Sequence, residues 1–361
     1  MTLNTFKNIF FLVIFTAITF AGHSSENQEN EGSKEFNAKE MIMHHVKDAH
    51  EFHIMEWNGK SISIPLPIIL WTEQGLVTFM SSEFHHDDSG LHIVEKNGLK
   101  FAKFHEKIYQ LNANAEALAF NEQHYPTNAS LPLNFSITRN VFMMWISVIA
   151  LLLVFLSTAK IYKKSNDKIP TGIAGFMEPL IVFVRDEIAK PMIGEHRYKK
   201  YMPYLLTIFF FIWINNIFGL IPIINGANVS GNIAFTLTLA AFTFIVTTLS
   251  GNKNYWKHIF WMPGVPVPMK IFLMPIEIVG MFVKPISLMI RLFANITAGH
   301  IIILALMSLI FIFETVAVAP VSVAFSLFIL LIEIVVTAIQ AYIFTVLSAL
   351  YIGMATEEEH H

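Results

Sequence analysis

The chain has 361 residues, of which 54% are hydrophobic and 14% charged, with a formal net charge of -3 and a mean hydropathy of +0.53. That balance excludes an ordinary soluble globular protein and predicts several membrane spans. The lack of cysteine excludes disulfides, thiolate metal sites and a cysteine nucleophile.

In chain order, residues 1–22 predict a secretory leader. Lys7 gives a basic start, the stretch from Ile9 to Phe20 is apolar, and the small residues Ala21 and Gly22 follow. That stretch falls short of the ~20 residues a span requires; an uncleaved anchor helix is the alternative. Residues 23–138 read as an outward-facing, small extramembrane segment with β character. From His23 to Asn140 there are 16 Asp/Glu and 9 Lys/Arg, an ordinary soluble composition. Residues 26–40 are expected to be disordered. SISIPLPIILW and LHIVEKNGLKF have strand composition, with turn signals at Asn58-Gly59, Ser89-Gly90 and Asn97-Gly98. The segment holds ten histidines, including His44-His45 and His85-His86. No spacing among them demands a tetrahedral metal site, so they read as solvated side chains, with metal buffering as the alternative, and no cofactor is expected.

Val141 to Ala159 is the first span and carries no charge. Lys160, Lys163, Lys164 and Lys168 follow it, which puts this end in the cytoplasm and the N-terminal segment outside. Residues 172–200 mix apolar positions (Phe176, Leu180, Phe183, Val184, Ile188) with charges (Arg185, Asp186, Glu187, Lys190). The simplest reading is an amphipathic helix on the inner membrane surface, with packing into a core as the alternative. Met202–Ile224 and Asn232–Ser250 form a helical hairpin. The loop 251–270 carries Lys253, Lys257 and Lys270, which suits the inner side, and Pro263, Pro266 and Pro268 make helix unexpected there. Residues 271–312 form one long apolar run. As a single helix it spans ~63 Å, about twice the hydrocarbon thickness, so a strong tilt is expected. Residues 321–356 are likewise too long to stand upright. The fold class is therefore an all-α membrane protein: five embedded helices in a membrane domain over 139–356, the last two long and tilted, with a tail at 357–361. The N-terminus lies outside and the C-terminus in the cytoplasm of a bacterial inner membrane.

Arg291 sits inside the run ISLMIRLFANITAGHIIILALMSLIF, which contains no acidic residue. A charge at that depth costs several kcal/mol and marks function by default. At 100° per residue, Asn295, Lys284 and Glu277 fall within about 40° of Arg291, whereas His300 falls on the opposite face. On the last helix Glu333 is the single charge between Glu314 and Glu357. Gln340 lies on its face, and Ser326 and Ser322 extend the stripe. If Gln340 packs level with Arg291 in an antiparallel pair, Glu333 and His300 lie ~10 and ~13 Å to one side, and Glu277 ~21 Å to the other. That is two polar routes separated by a fixed cation. Helix gluing, worth ~0.6 kcal/mol per polar group, is the competing account for Gln340, Asn295 and the serines.

At these residues the chain resembles subunit a of the F-type ATP synthases. KPISLMIRLFANITAGH is similar to that family's arginine helix, and EIVVTAIQAYIFTVLSALYI to its closing helix. IFFFIWINNIFGLIP with NVSGNIAFTLTLA resembles the hairpin before them, so the likeness runs from about Phe176 to Ile352. The resemblance implies that Arg291 faces a ring of c subunits with Gln340 and Asn295 beside it. It also implies that His300 and Glu333 serve an outer half-channel, Glu277 an inner one, and that Asn216 lines the outer route. Many bacterial members carry a carboxylate at the position of His300 and a histidine at that of Glu333; here the two are exchanged. The implied partners are the c-ring, the b subunits of the peripheral stalk and the lipid bilayer, with no nucleic acid. No GxxxxGK[ST] loop is present, so nucleotide chemistry is expected on other subunits and the chain is not itself an enzyme. A secondary transporter or channel with an arginine anion site is the alternative, though no internal repeat supports it. HExxH is absent, which argues against an intramembrane hydrolase.

Overall fold

A computed structural model describes residues 47–57, 60–113, 115–123, 125–164, 172–221, 228–313 and 315–357. The expected leader, the expected disordered stretch, the His44-His45 pair, the Asn58-Gly59 turn signal and most of the tail lie outside the described residues. The chain divides into two compact units, one of residues 1–144, 218–227 and 301–328, the other of 145–217, 228–300 and 329–361.

Apolar residues that alternate in sequence become the buried face of the first unit's strands. These are β1 (Glu51–Trp57), β2 (Lys60–Pro65), β3 (Pro67–Thr72), β4 (Gly75–Met80), β5 (Ser89–Lys96), β6 (Leu99–Phe104), β7 (Lys107–Leu111), β8 (Ala129–Ser130) and β9 (Leu133–Asn134). They pair as three antiparallel sheets, β1-β2, β4-β3-β9 and β5-β6-β7-β8. Ile68, Leu70, Val77, Phe79, Phe84, Val94, Phe101 and Ile108, from the second and third sheets and the turn after β4, form a core. The expected strand SISIPLPIILW is two strands. Its break falls at Leu66, whose backbone N–H donates to Ser81 Oγ at 3.0 Å instead of to a ladder. Asn97-Gly98 turns between β5 and β6 with both residues at positive φ, 54° and 76°, the geometry a two-residue hairpin demands. Ser89-Gly90 is not a turn. Both residues lie in β5 next to an irregularity in its register, and a side chain at Gly90 would collide with Leu118.

His105 and Glu106 make the β6–β7 turn, both at positive φ (51° and 61°), a region costly to residues with a side chain. The turn is held by what Glu106 reaches. Its carboxylate accepts the His50 backbone N–H at 3.2 Å and lies 3.6 Å from His50 Nδ1 and 3.7 Å from the buried Lys103 ammonium. Its own N–H donates to Asp88 at 2.7 Å. Burial alone would raise the Glu106 carboxyl, but the His50 hydrogen bond and the Lys103 charge outweigh it and hold the group down at about 2. Alongside, the Arg139 guanidinium donates to the Lys47 carbonyl at 2.9 Å. The Arg139 N–H donates to the Ala49 carbonyl at 2.8 Å, and the Asn140 N–H to Asp48 at 3.0 Å. The first helix therefore begins pinned to the start of the β-structure.

The helices are α1 (Arg139–Lys164), α2 (Ile173–Phe183), a π-helical stretch Val184–Ala189, α3 (Lys190–Ile193), α4 (Tyr198–Leu220), α5 (Ile233–Ser250), α6 (Lys253–Phe260), α7 (Val267–Ile312) and α8 (Ala319–Thr356). Five of them are long and apolar enough to cross a membrane: α1, α4, α5, α7 and α8. With 46 residues, α7 is ~69 Å long, far beyond the ~30 Å hydrocarbon core. It continues through Pro275 and Pro285. The loop 251–270 departs from expectation: α6 forms there because its prolines all lie beyond Phe260, and Asn252 caps it by accepting the Tyr255 N–H at 2.8 Å. The segment 173–193 follows the alternative reading, packing into a core: its Met177, Val184, Ile188, Ala189 and Ile193 are buried in the second unit. Its charges pair among themselves, Arg185 and Lys190 each 2.7 Å from Asp186. That core also takes Leu205, Ile208 and Ile212 of α4, Leu288 and Leu292 of α7, and Phe344 and Ile352 of α8. Gly353 lets α8 close on the Met192 carbonyl, with which a Cβ there would overlap.

The Glu106 carboxyl, lowered from 4.5 to about 2, contributes stability that is fully present above pH ~4.5 and is lost as pH falls toward 2, about 3 kcal/mol in all. Hydrogen exchange of the β6–β7 amides in the intact chain, corrected for intrinsic rates, should speed up over that window. Glu106→Gln should exchange fast at pH 6 already and lose the dependence.

Candidate functional site

The site is built on α7 and α8 within the second unit. Arg291 lies on an exposed face of α7, and among the described residues its guanidinium makes no ion pair. One turn further, Asn295 Nδ2 donates to Gln340 Oε1 at 2.8 Å. Gln340 is buried on α8, and its Nε2 has no partner among the described residues. Gln340 is therefore level with Asn295, one turn beyond Arg291, rather than with Arg291 itself as supposed from the sequence. The same bond is the helix glue that the competing account expects, so Asn295 and Gln340 have a packing role whatever else they do.

The next turn brings in Glu333. Its carboxylate lies directly over Gly299, where an added Cβ would overlap Oε1. Glycine inside a helix costs ~1 kcal/mol relative to alanine, and close approach is its usual reason. Here the missing side chain is the space the carboxyl occupies. Glu333 is 4% exposed, and its Oε2 has no hydrogen-bond partner among the described residues. His300, the residue after Gly299, is half-buried. Glu333 and the Gly299–His300 step are therefore brought together. Ser322, Ser326, Thr337 and Gln340 are buried along the same α8 stripe as Glu333.

On the other side of Arg291, toward the start of α7, Lys284 lies with its ammonium 5.7 Å from the Tyr351 ring centroid. A cavity of about 20 Å³, the size of one water molecule, is lined by Thr243, Thr247, Tyr255, Lys284 and Tyr351. Burial first, and then the Glu277 carboxylate, push the Tyr255 phenol up, which places Glu277 beside this group. Thr243 joins three helices, sharing hydrogen bonds with Tyr204 at 2.8 Å and Ser348 at 3.2 Å. Asn216 is not part of either group. It is buried on α4, where Ser230 Oγ donates to its Oδ1.

Gly299, Tyr255, Tyr351 and Lys284 as cavity walls escaped the sequence reading. For Gly299 the signal existed: a small Ala-Gly pair in mid-helix beside a polar residue. For the tyrosines none did, since a membrane helix end commonly carries aromatics. No group of three or more His, Asp or Glu able to hold a metal occurs among the described residues.

The model of the ATP synthase A chain family matches residues 141–353. A domain family of unknown function, DUF8433, matches residues 41–135. ATP synthase subunit a of Chloroherpeton thalassium is 48% identical over 248 residues, covering 67% of this chain and 73% of that protein. The corresponding protein of Chlorobium phaeobacteroides BS1 is 50% identical over 234 residues (63% and 68%), and that of Myxococcus xanthus 40% over 235 residues (63% and 76%). With the family match covering more than half its length and α7 and α8 inside the match, the chain belongs to the ATP synthase A chain family and is a membrane subunit of an F-type ATP synthase.

Proposed function

We propose that the chain is the stator half of a proton-driven rotary pair, carrying protons to and from carboxylates on a ring of c subunits. The observation that carries this reading is the exposed Arg291 guanidinium, which no carboxylate among the described residues neutralises. A fixed cation on a helix surface within the span needs a negative partner from another chain. An ionised rotor carboxylate at ~4 Å, with an effective dielectric of ~20, would gain ~4 kcal/mol. That favours release of its proton as it passes. Arginine suits this role because it keeps its charge when desolvated, where lysine can lose it.

Protons enter from the outer side past Glu333 and His300 and load the rotor carboxylate. A neutral site then turns into lipid and, on returning, discharges toward Glu277 and the water-sized cavity at Tyr255, Lys284 and Tyr351. Arg291 between the two routes repels protons that would otherwise leak straight across. Each proton brings ~2.3 kcal/mol per 100 mV. The α8 carboxylate and the α7 imidazole form the outer pair, and Asn295 with Gln340 fixes the register between the helices. The N-terminal β-structure lies outside and the C-terminus in the cytoplasm; the b subunits of the stalk complete the stator, and the chain performs no nucleotide chemistry.

Arg291→Ala should abolish proton-coupled ATP synthesis while the complex still assembles; wild-type coupling in inverted vesicles would refute the role. Glu333→Gln or His300→Ala should slow proton flux without abolishing it. Combining His300→Glu with Glu333→His should recover part of the loss, and no rescue would count against a working pair. Gly299→Ala should displace the Glu333 carboxyl and slow flux as Glu333→Gln does, with normal subunit content by gel of the purified complex. An unchanged rate in Gly299→Ala would show that the carboxyl's seat does not matter.

A further inference from the structure

The second unit contains a trench that none of this uses. It has a volume of about 630 Å³ and runs between α1 and α4. Val148, Leu151, Leu152 and Phe155 form one wall, and residues of α4 from Lys199 to Phe211 the other. Along α4 those twelve steps measure ~18 Å. That is close to the ~15 Å depth of one leaflet and well short of the ~30 Å a spanning helix would need. The trench also closes at its far end, where Ser147 Oγ donates to Asn215 Oδ1 at 3.0 Å and ties α1 to α4. The walls are almost wholly apolar, and the charge is confined to the other end. Lys199 lines the trench there, exposed, with Lys200 beside it. The antiparallel register set by Ser147–Asn215 and by the Phe155–Phe210 ring contact carries the exposed Lys160 and Lys163 toward the same end. The acids near it are Glu195, exposed four residues before Lys199, and Glu178, near Tyr162. Cations exceed acids at the mouth. Lys199 has no ion pair among the described residues, whereas the neighbouring Lys190 is engaged with Asp186.

A cationic mouth on an apolar trench one leaflet deep is the shape and polarity of a single anionic phospholipid. We propose that this trench seats one, its phosphate at Lys199 and an acyl chain along Leu206, Phe210 and Leu152. A partner's transmembrane helix fits less well, because the trench is only about three-fifths of the length such a helix requires and is bridged at its end.

The test is native mass spectrometry of the intact ATP synthase complex, purified in detergent and exchanged with phosphatidylglycerol or phosphatidylcholine. Phosphatidylglycerol should be retained in preference. Lys199→Ala should lower its retention about fivefold, in keeping with ~1 kcal/mol per cation at a lipid headgroup, and Lys199→Arg should keep it. Lipid held by other subunits is common to all three samples and cancels. Equal retention of the two lipids, or retention indifferent to Lys199→Ala, would overturn the proposal. So would a photo-crosslinker at Leu152 that captures a neighbouring subunit's helix instead of lipid.

Discussion

A guanidinium held within a membrane-spanning helix, without a countercharge from its own chain, is the constraint on which the rest of this structure depends. Left alone in hydrocarbon such a group costs several kcal/mol. The fold does not remove that cost with an internal acid; it leaves Arg291 exposed on α7. Everything around it keeps other charge at a distance. Glu333 is a helical turn or two away and tucked over Gly299. Glu277 lies further back on α7, beside Tyr255. Lys284 is spent on the Tyr351 ring. The amides Asn295 and Gln340 bond to each other, which holds the two helices in register without offering the cation a full negative charge.

Close approach is the second theme, and glycine supplies it. At Gly299 the missing side chain admits a carboxyl; at Gly353 it admits the Met192 backbone carbonyl. Both lie in membrane-embedded helices, where small residues let neighbours pack without a hydrophobic driving force. The β-structure follows a different logic. Its strained His105–Glu106 turn persists because a buried ionic cluster over-determines it, Glu106 reaching His50 and Lys103 at once.

The sequence announced the membrane helices plainly, because charge-free runs of that length have few other readings. The level of α7 against α8 had to be supposed at Arg291, and the bond falls one turn on, at Asn295–Gln340. From there the fixed rise per residue of an α-helix carries Glu333 to the Gly299–His300 step. What was not legible depended on tertiary neighbours. Ser89-Gly90 looked like a turn, yet it lies within β5, where a φ of 80° and the Leu118 side chain above it both favour glycine at position 90. The prolines of the 251–270 loop masked a short helix, since one proline-poor turn before them is enough for Asn252 to cap. The tyrosines around the small cavity come from α6 and α8, and no local pattern links residues 255 and 351.

The hydrogen bonds that tie Lys47, Asp48 and Ala49 to Arg139 and Asn140 span about ninety positions. Entry to and exit from the β-structure therefore meet at a single point, the first turn of α1. A domain whose two ends coincide is anchored like a cassette, its whole length hung on the one turn where the helix begins. The separate family matches, one to residues 41–135 and one to residues 141–353, fall on either side of that junction.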